Sequence, residues 1–557
     1  MTDRPDPLPP FTRRAVLRGG VATAAAVSLP GLGSLAACTT QSRTPTGAEQ
    51  NAANSRVTLP AFVPYQGAEP DLAASADGGL AGYLTYPANP KREITEPPAD
   101  GGTLEQLVPI TSGLPPALDR NRYWQELNAR LGLELKLQMV PDGDGYVSKL
   151  TTMLAGGDLP DALCISAPAT RPNMSQIAGH VLQSLDEYVA GDAVKDYPFL
   201  ANLPTPSWAS TVFNGSIYGV PVPRGVFGSI TFQRKDFLAE KSLNPAPETF
   251  EEFRGICREA TDPRGNRWAI DRPAAALQLV INMLGKPNRW TEQDGRFTSQ
   301  YETEEIRRAL SAVRTLVTDG SCHPDGVAAN SIQGKQWFRT GNVVYFTGGY
   351  KGWLLDIFSD WPDQAERVDG FVEPGFEGGQ GSHPQGAPLF SMTSLKRTDE
   401  ARIRQLLQVC NWMAAPFGTE EYLFRKFGVV DVDYTLDGSD PVATEQGAQE
   451  LLLPSYYVAD APDVVYAAGQ QDNIRVIHAY LAKEAPLIID DPTTGLYSAT
   501  NSTKGVTLGK LVSDFQSEFF QGRKTLDEWD DLIKKWKADG GDQIAQEYAE
   551  AYTEING

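Results

Sequence analysis

Residue types able to do covalent or acid–base chemistry are scattered along these 557 residues rather than gathered. The four histidines, His180, His323, His383 and His478, show no HExxH or other metal-ligand spacing. GxSxG is missing, so a serine nucleophile on a sharp elbow has no support. The glycine-rich stretch Gly375–Gly381 lacks the Lys-Ser/Thr that a phosphate loop needs and reads as a flexible loop. Acidic pairs stand at Glu251-Glu252, Glu304-Glu305, Asp490-Asp491 and Asp530-Asp531. Glycoside hydrolysis needs two carboxyls about 5–10 Å apart across a cleft, one with a raised pKa, and no pair is singled out here. Catalysis, cofactor and metal are therefore not expected. What remains is aromatic. Trp208 follows Pro204 and Pro206, Trp290 closes Gly285–Trp290, and Tyr350 and Trp353 lie in Gly348-Gly349-Tyr350-Lys351-Gly352-Trp353. Rings beside glycine offer flat, approachable faces on which the C–H face of a sugar stacks while polar groups take its hydroxyls.

One cysteine has a different chemistry available. Thr12-Arg13-Arg14-Ala15-Val16-Leu17-Arg18 places paired arginines before a short apolar run, as in a twin-arginine export signal. The run Val21–Ala37 is broken by Pro30, Gly31 and Gly33, too short and interrupted to span about 30 Å of bilayer. It ends in Leu35-Ala36-Ala37-Cys38, which resembles a lipobox, where cleavage precedes a cysteine whose thiol carries lipid. Residues 1–37 are thus expected to be a removed lipoprotein signal, with Cys38 the lipid attachment.

The signal holds four Arg and two Asp, so the remaining 520 residues carry 45 basic and 68 acidic side chains, a formal charge of −23. That surface repels nucleic acid and anionic headgroups, leaving lipid as the membrane attachment. So long a chain exceeds one core and suggests two domains or a bilobal unit. Cys164, Cys257, Cys322 and Cys410 have no paired spacing; one or two disulfides or four buried thiols both fit.

Positioning elements follow from periodicity. Residues 38–56 hold few hydrophobes and read as a flexible tether; residues 57–104, rich in Pro and Gly, read as an irregular arm on the body. Leu107–Thr111 is strand-like, Trp124, Leu127 and Leu131 recur at helical spacing, and Leu133, Leu135, Leu137 and Met139 alternate with polar residues. Val147, Leu150 and Leu154 return to helical spacing before the apolar Ala162–Ser166. This β-α-β-α-β series argues for a parallel sheet, with ligands beyond the strands' carboxyl ends and the loop Ala167–Asn173 as a site wall. A second sheet is expected to begin at Ser229–Gln233. Thr249 with Glu252, and Thr525 with Glu528, read as capping boxes.

Five segments in order resemble family 1 extracellular solute-binding proteins of ABC importers, especially the LplA-like lipoproteins. They are Leu150–Asp161 with its Gly157-Asp158-Leu159-Pro160-Asp161 turn; Asn214–Pro221; Arg234–Asp236 with Pro247–Phe253; Phe338–Trp353; and Gly522–Lys524 through Gly540-Gly541 to Tyr552. The resemblance covers roughly residues 105–557. It implies an α/β, two-lobed periplasmic-binding-protein-like fold of type II with a ligand cleft between the lobes. Lobe 1 would hold residues 105–221 plus 386–455 and lobe 2 residues 222–385 plus 456–557, with chain crossings near 221–228 and 386–390. Carried over by position, Ser166, Arg171, Arg224, Tyr350 and Trp353 line the cleft, with Trp208 and Trp290 as weaker candidates, while Asp158 and Asp161 cap their turn. Some relatives hold calcium in a D-x-D-x-N-G loop; Asp262–Arg267 has Arg264 at the second acid, so no calcium is expected.

The function implied is a monomeric, lipid-anchored receptor on the outer face of the cell membrane. It would capture a carbohydrate, closing on it by population shift, and deliver it to the permease subunits. A secreted carbohydrate-active enzyme, or a receptor for a peptide or polyamine, are the alternatives.

Overall fold

A computed structural model describes residues 47–556 apart from 112, 168–173, 286, 355–360 and 362–365. Two α/β lobes make up the body, each around its own sheet. The first sheet contains β1 (Thr103–Ile110), β2 (Glu134–Pro141), β3 (Ala162–Ser166), β4 (Val220–Pro223) and β9 (Leu389–Leu395), in the order β2-β1-β3-β9-β4. β1 runs parallel to β2 and β3, whereas β9 is antiparallel to β3 and β4. The second contains β5 (Ser229–Arg234), β6 (Trp268–Ile270), β7 (Val343–Gly349) and β8 (Val368–Phe371), in the order β8-β5-β7-β6.

The strands form where the apolar alternation places them. On one face of the first sheet Leu104, Val108, Leu135 and Cys164 pack against Trp124, Leu127 and Leu131 of helix Arg122–Leu131. The other face buries Leu107, Leu163 and Ile165 against Tyr146, Leu150 and Leu154. Asn121 caps the first of these helices, accepting from Trp124 N at 2.7 Å. In the second lobe Thr249 Oγ1 accepts from Glu252 N at 3.2 Å, but the Glu252 carboxylate takes Glu248 N instead of Thr249 N, so the box is half made. At the second candidate Glu528 accepts from Thr525 N at 2.9 Å, and the helix itself starts at Asp527. Trp529, Ile533, Trp536, Ile544 and Tyr548 of the last helices are buried in the second lobe's core.

The chain crosses between lobes from β4 to β5, returns into β9, and crosses a third time through residues 458–470. The first two crossings touch: Phe227 bridges Gln385, and a Cβ on Gly386 would sit 2.6 Å from Gly228 Cα. Only glycine permits that backbone approach. The arm expected over 57–104 is irregular and lies on the body up to residue 102, where β1 begins with Thr103. It binds Gly191 and Ala201 through Ala61 N and Val63 N, pairs Tyr83 with Val465 of the third crossing, and buries Tyr86, whose hydroxyl donates to Thr419 O.

The tether expectation needs correction over its last part. Residues Gly47–Asn54 are helical, and Asn51 exchanges hydrogen bonds with Tyr497 (Nδ2 to O, 2.9 Å; N to Oδ1, 2.8 Å), while Asn54 Oδ1 accepts from Gly215 N. The composition has few apolar groups to bury, but side-chain amides supply the order by docking on distant backbone. Cys38 and the export signal lie outside the described residues. All four remaining cysteines are buried free thiols.

Candidate functional site

Where the lobes meet, five segments bring charged and aromatic side chains together. Arg224 follows β4, its backbone N–H held by Pro388 O at 3.2 Å. Tyr350 and Lys351 follow β7 from the second lobe. Helix Glu420–Phe427 supplies Tyr422, Arg425 and Lys426; the turn Ser455–Tyr457 supplies two tyrosines; the third crossing supplies Asp460 and Asp463.

Asp463 is a junction. Its Oδ2 accepts from Tyr350 OH at 2.6 Å and from Gly225 N at 2.8 Å, and its Oδ1 is 2.5 Å from Lys351 Nζ. One carboxylate thus ties the first crossing, the third crossing and the second lobe. Asp460 does the same for the first lobe, with Arg425 Nη1 at 2.6 Å and Lys426 Nζ at 3.0 Å. Burial opposes ionisation of Asp460, yet Lys426, Arg425 and Lys351 hold it well below the usual carboxylate range. Burial also opposes the Lys351 charge, but Asp463 and Asp460 outweigh it and raise its pKa. At Lys426 burial prevails: helped by Arg425 and Lys351, it pushes the ammonium down to about 8 against the pull of Asp460. Lys351 and Lys426 nevertheless keep 33% and 32% of their side-chain surface open. Both side chains are thus packed among protein groups at the lobe junction while part of each stays open to solvent.

Beside the charges runs an aromatic ladder. The Arg224 guanidinium lies 4.7 Å over the Phe390 ring, Phe390 stacks on Tyr457 at 5.8 Å, and Tyr457 meets Tyr456 at 4.4 Å. Sheet side chains set this ladder, since Gln106 Nε2 and Thr393 Oγ1 both donate to Tyr457 O. Its outer rung, Tyr456, is 37% exposed, and sugar stacking requires a ring that solvent can reach.

Among the residues expected to form the site, Arg224 and Tyr350 lie in this cluster. Ser166 ends β3, half buried opposite Ser391 of β9. Arg171 lies outside the described residues. The exposed-ring expectation is corrected for Trp208 and Trp353, which are buried, while Trp290 is half buried. Trp208 is 1% exposed in the first lobe's core, on a short helix whose neighbouring Ser207 bonds Pro388 O. Trp353 is equally buried, edge-on to Phe232 and Tyr480 at 5.5 Å each. Trp290 packs on Trp536 and Tyr548 of the second lobe. Tyr350 is buried as well and serves through its hydroxyl rather than its face. Asp161 goes beyond a turn cap: it accepts from Glu105 N and pairs with Lys396 and Arg402 at 3.1 Å each. Sequence reasoning passed over Lys351, Lys426, Tyr456, Asp460 and Asp463. The available signal was two acids inside the otherwise apolar stretch Tyr456–Val465. Among the described residues no group of three or more His, Cys, Asp or Glu is placed to hold a metal ion, and Arg267 of the calcium-like loop pairs with Glu240 and covers Phe237.

Two α/β lobes joined by crossing segments, with polar and aromatic groups converging between them, define a two-lobed binding protein. The chain belongs to the bacterial extracellular solute-binding protein family, whose model matches residues 117–416. It is similar to the polygalacturonan/rhamnogalacturonan-binding protein YtcQ of Bacillus subtilis (strain 168), at 24% identity over 462 residues, 78% of this chain and 88% of that one. It is also similar to Lipoprotein LipO of the same organism, at 21% identity over 472 residues, 81% of this chain and 92% of that one. In fold it matches the alginate-binding protein AlgQ2 solved without calcium ion, with a TM-score of 0.60 and 14% identity over 83% of this chain and all of the other.

Proposed function

We propose that this protein captures an oligosaccharide in the cleft between its lobes and delivers it to the permease of an ABC importer, breaking no bond in the process. The observation that carries the reading is the convergence of an open tyrosine ladder with cationic and acidic side chains drawn from both lobes and two crossings. That combination offers ring stacking and hydroxyl recognition to the same ligand. The relatives support it: one is named for binding polygalacturonan and rhamnogalacturonan, and a structural neighbour for binding alginate. Lipid on Cys38 after twin-arginine export would hold the receptor at the outer face of the membrane, in keeping with the lipoprotein name of LipO. The receptor acts as a monomer, and Ser166, Arg171, Arg224 and Tyr350 contribute to the site.

Calorimetric titration of the purified protein with tri- to pentasaccharides, short peptides and polyamines tests this. Saturable binding confined to saccharides, with the sugars recovered intact, is expected. Cleaved products would establish an enzyme instead, and binding confined to peptides or polyamines would discard the carbohydrate assignment. Mass spectrometry of the membrane-extracted protein is expected to find a diacylglyceryl group on an N-terminal Cys38; an unmodified N-terminus elsewhere would overturn the anchor.

A further inference from the structure

We infer that the cleft selects sugars bearing a carboxylate, with Arg224, Lys351 and Lys426 as the residues that read the acid; this rests on the carbohydrate reading above and narrows it. Four cations, Arg224, Lys351, Arg425 and Lys426, reach the junction from three separate segments, and the carboxylates facing them are Asp460 and Asp463. The set is short of two negative charges. Both aspartates are already engaged, Asp460 by Arg425, Lys426 and Ala461 N, and Asp463 by Lys351, Tyr350 and Gly225 N.

Arg224 is the decisive group. Its guanidinium lies over the Phe390 ring and hydrogen-bonds no acceptor among the described residues, while Asp463 attracts it only through space. Burial depresses its pKa against the pull of Asp463, Tyr350 and Tyr457, so the protein holds this cation at the expense of its hydration without a hydrogen-bonded carboxylate to replace it. Its planar fork of five N–H donors matches a carboxylate in two parallel bonds. The shortage is not one of supply, because the chain carries 70 acidic side chains and a net charge of −21. A chain so acidic that leaves cations unmatched at its lobe junction has room there for an acid brought by the ligand. The ladder ending at Tyr456 places a stacking face next to those cations, which fits a hexuronic acid better than a bare anion or a peptide.

The test is calorimetric titration of the purified protein with trimers of galacturonate, glucuronate and mannuronate. Each is compared with its carboxyl-reduced counterpart, a galactose, glucose or mannose trimer, and triglutamate is a separate arm. At least one uronate trimer is expected to bind about 10- to 100-fold more tightly than its reduced counterpart, the span for one or two hydrogen bonds to a charged group. The ratio should shrink at high salt. Arg224→Gln, and separately Lys351→Met, should collapse the ratio toward one, and Arg224→Lys should restore part of it. Melting curves of the unliganded variants exclude loss of fold. Neutral trimers binding as tightly as uronates, or a ratio indifferent to both substitutions, would overturn the acid selection and leave the oligosaccharide reading standing. Binding of triglutamate alone, or of none of these probes, would overturn both.

Discussion

Asp460 tests the electrostatic reasoning most directly. Arg425 beneath it is 1% exposed, with Asp460 Oδ1 at 2.6 Å as its principal acceptor; Ala415 O, at 3.4 Å, is a weak second, and Nε has no partner. Asp460→Asn keeps the shape but removes the charge and turns an NH2 donor toward a cation. A buried guanidinium left uncompensated costs about 3–5 kcal/mol. The Lys426 half of the network adds little, since a third of that side chain is open to solvent screening. Equilibrium urea unfolding, followed by tryptophan fluorescence and circular dichroism, is expected to show the midpoint falling at unchanged slope by an amount in that range. The double variant Arg425→Met with Asp460→Leu should recover most of the loss, because replacing a buried pair with apolar groups of similar volume is often neutral. An Asp460→Asn cost below about 1 kcal/mol, or a double variant no better than the single, would refute the view that this pair is dry and mutually dependent.

Three further outcomes are expected. Burial, then the nearby Glu484 carboxylate, raises the Glu373 pKa to about 8, and its Oε1 accepts from Thr231 Oγ1 at 3.0 Å. The folded state therefore keeps a proton that the unfolded chain releases in the ordinary carboxylate range, so stability should fall as pH rises from about 4.5 to 8; Glu373→Gln should flatten that fall, and parallel pH profiles would refute it. Gly386→Ala would press a Cβ to 2.6 Å from Gly228 Cα, so melting should show a loss of about 1–3 kcal/mol, and an unchanged melting temperature would mean that the crossings are not in contact. Burial raises the Cys257, Cys322 and Cys410 thiol pKa values, and all four described cysteines are buried, so thiol titration should find none reactive in the native protein and all reactive in denaturant; an oxidised pair would contradict the free-thiol assignment.

Much of this architecture was legible in local patterns. The alternation of Leu133, Leu135 and Leu137 and the helical recurrence of Trp124, Leu127 and Leu131 are consequences of which faces must be apolar, so they survive folding unchanged. The same is true of the last helices, whose Trp529, Ile533 and Trp536 stripe fills the second core. The ordered motifs from Leu150 to Tyr552 carried the family. The candidate site was legible only in part. Tyr350 and Arg224 lie at the junction, but Tyr350 turns its hydroxyl and not its ring toward it, and a tyrosine beside glycines can present either. Whether Trp208 and Trp353 face solvent depends on what packs over them, and Ser207–Pro388 and Phe232 with Tyr480 settle that from distant parts of the chain.

The sequence by itself determined the strands, the helices and the chemical types on hand, since those depend on neighbours a few residues apart. Tertiary structure alone decided that Arg224, Lys351, Lys426, Asp460 and Asp463 share one junction, because only the repeated crossing of the chain between lobes gathers such separated charges and sets Lys351 and Lys426 against the two aspartates. It also decided their imbalance. Charge counted along the chain is strongly negative, but an electrostatic site is set by distance in space, and there the cations are in excess.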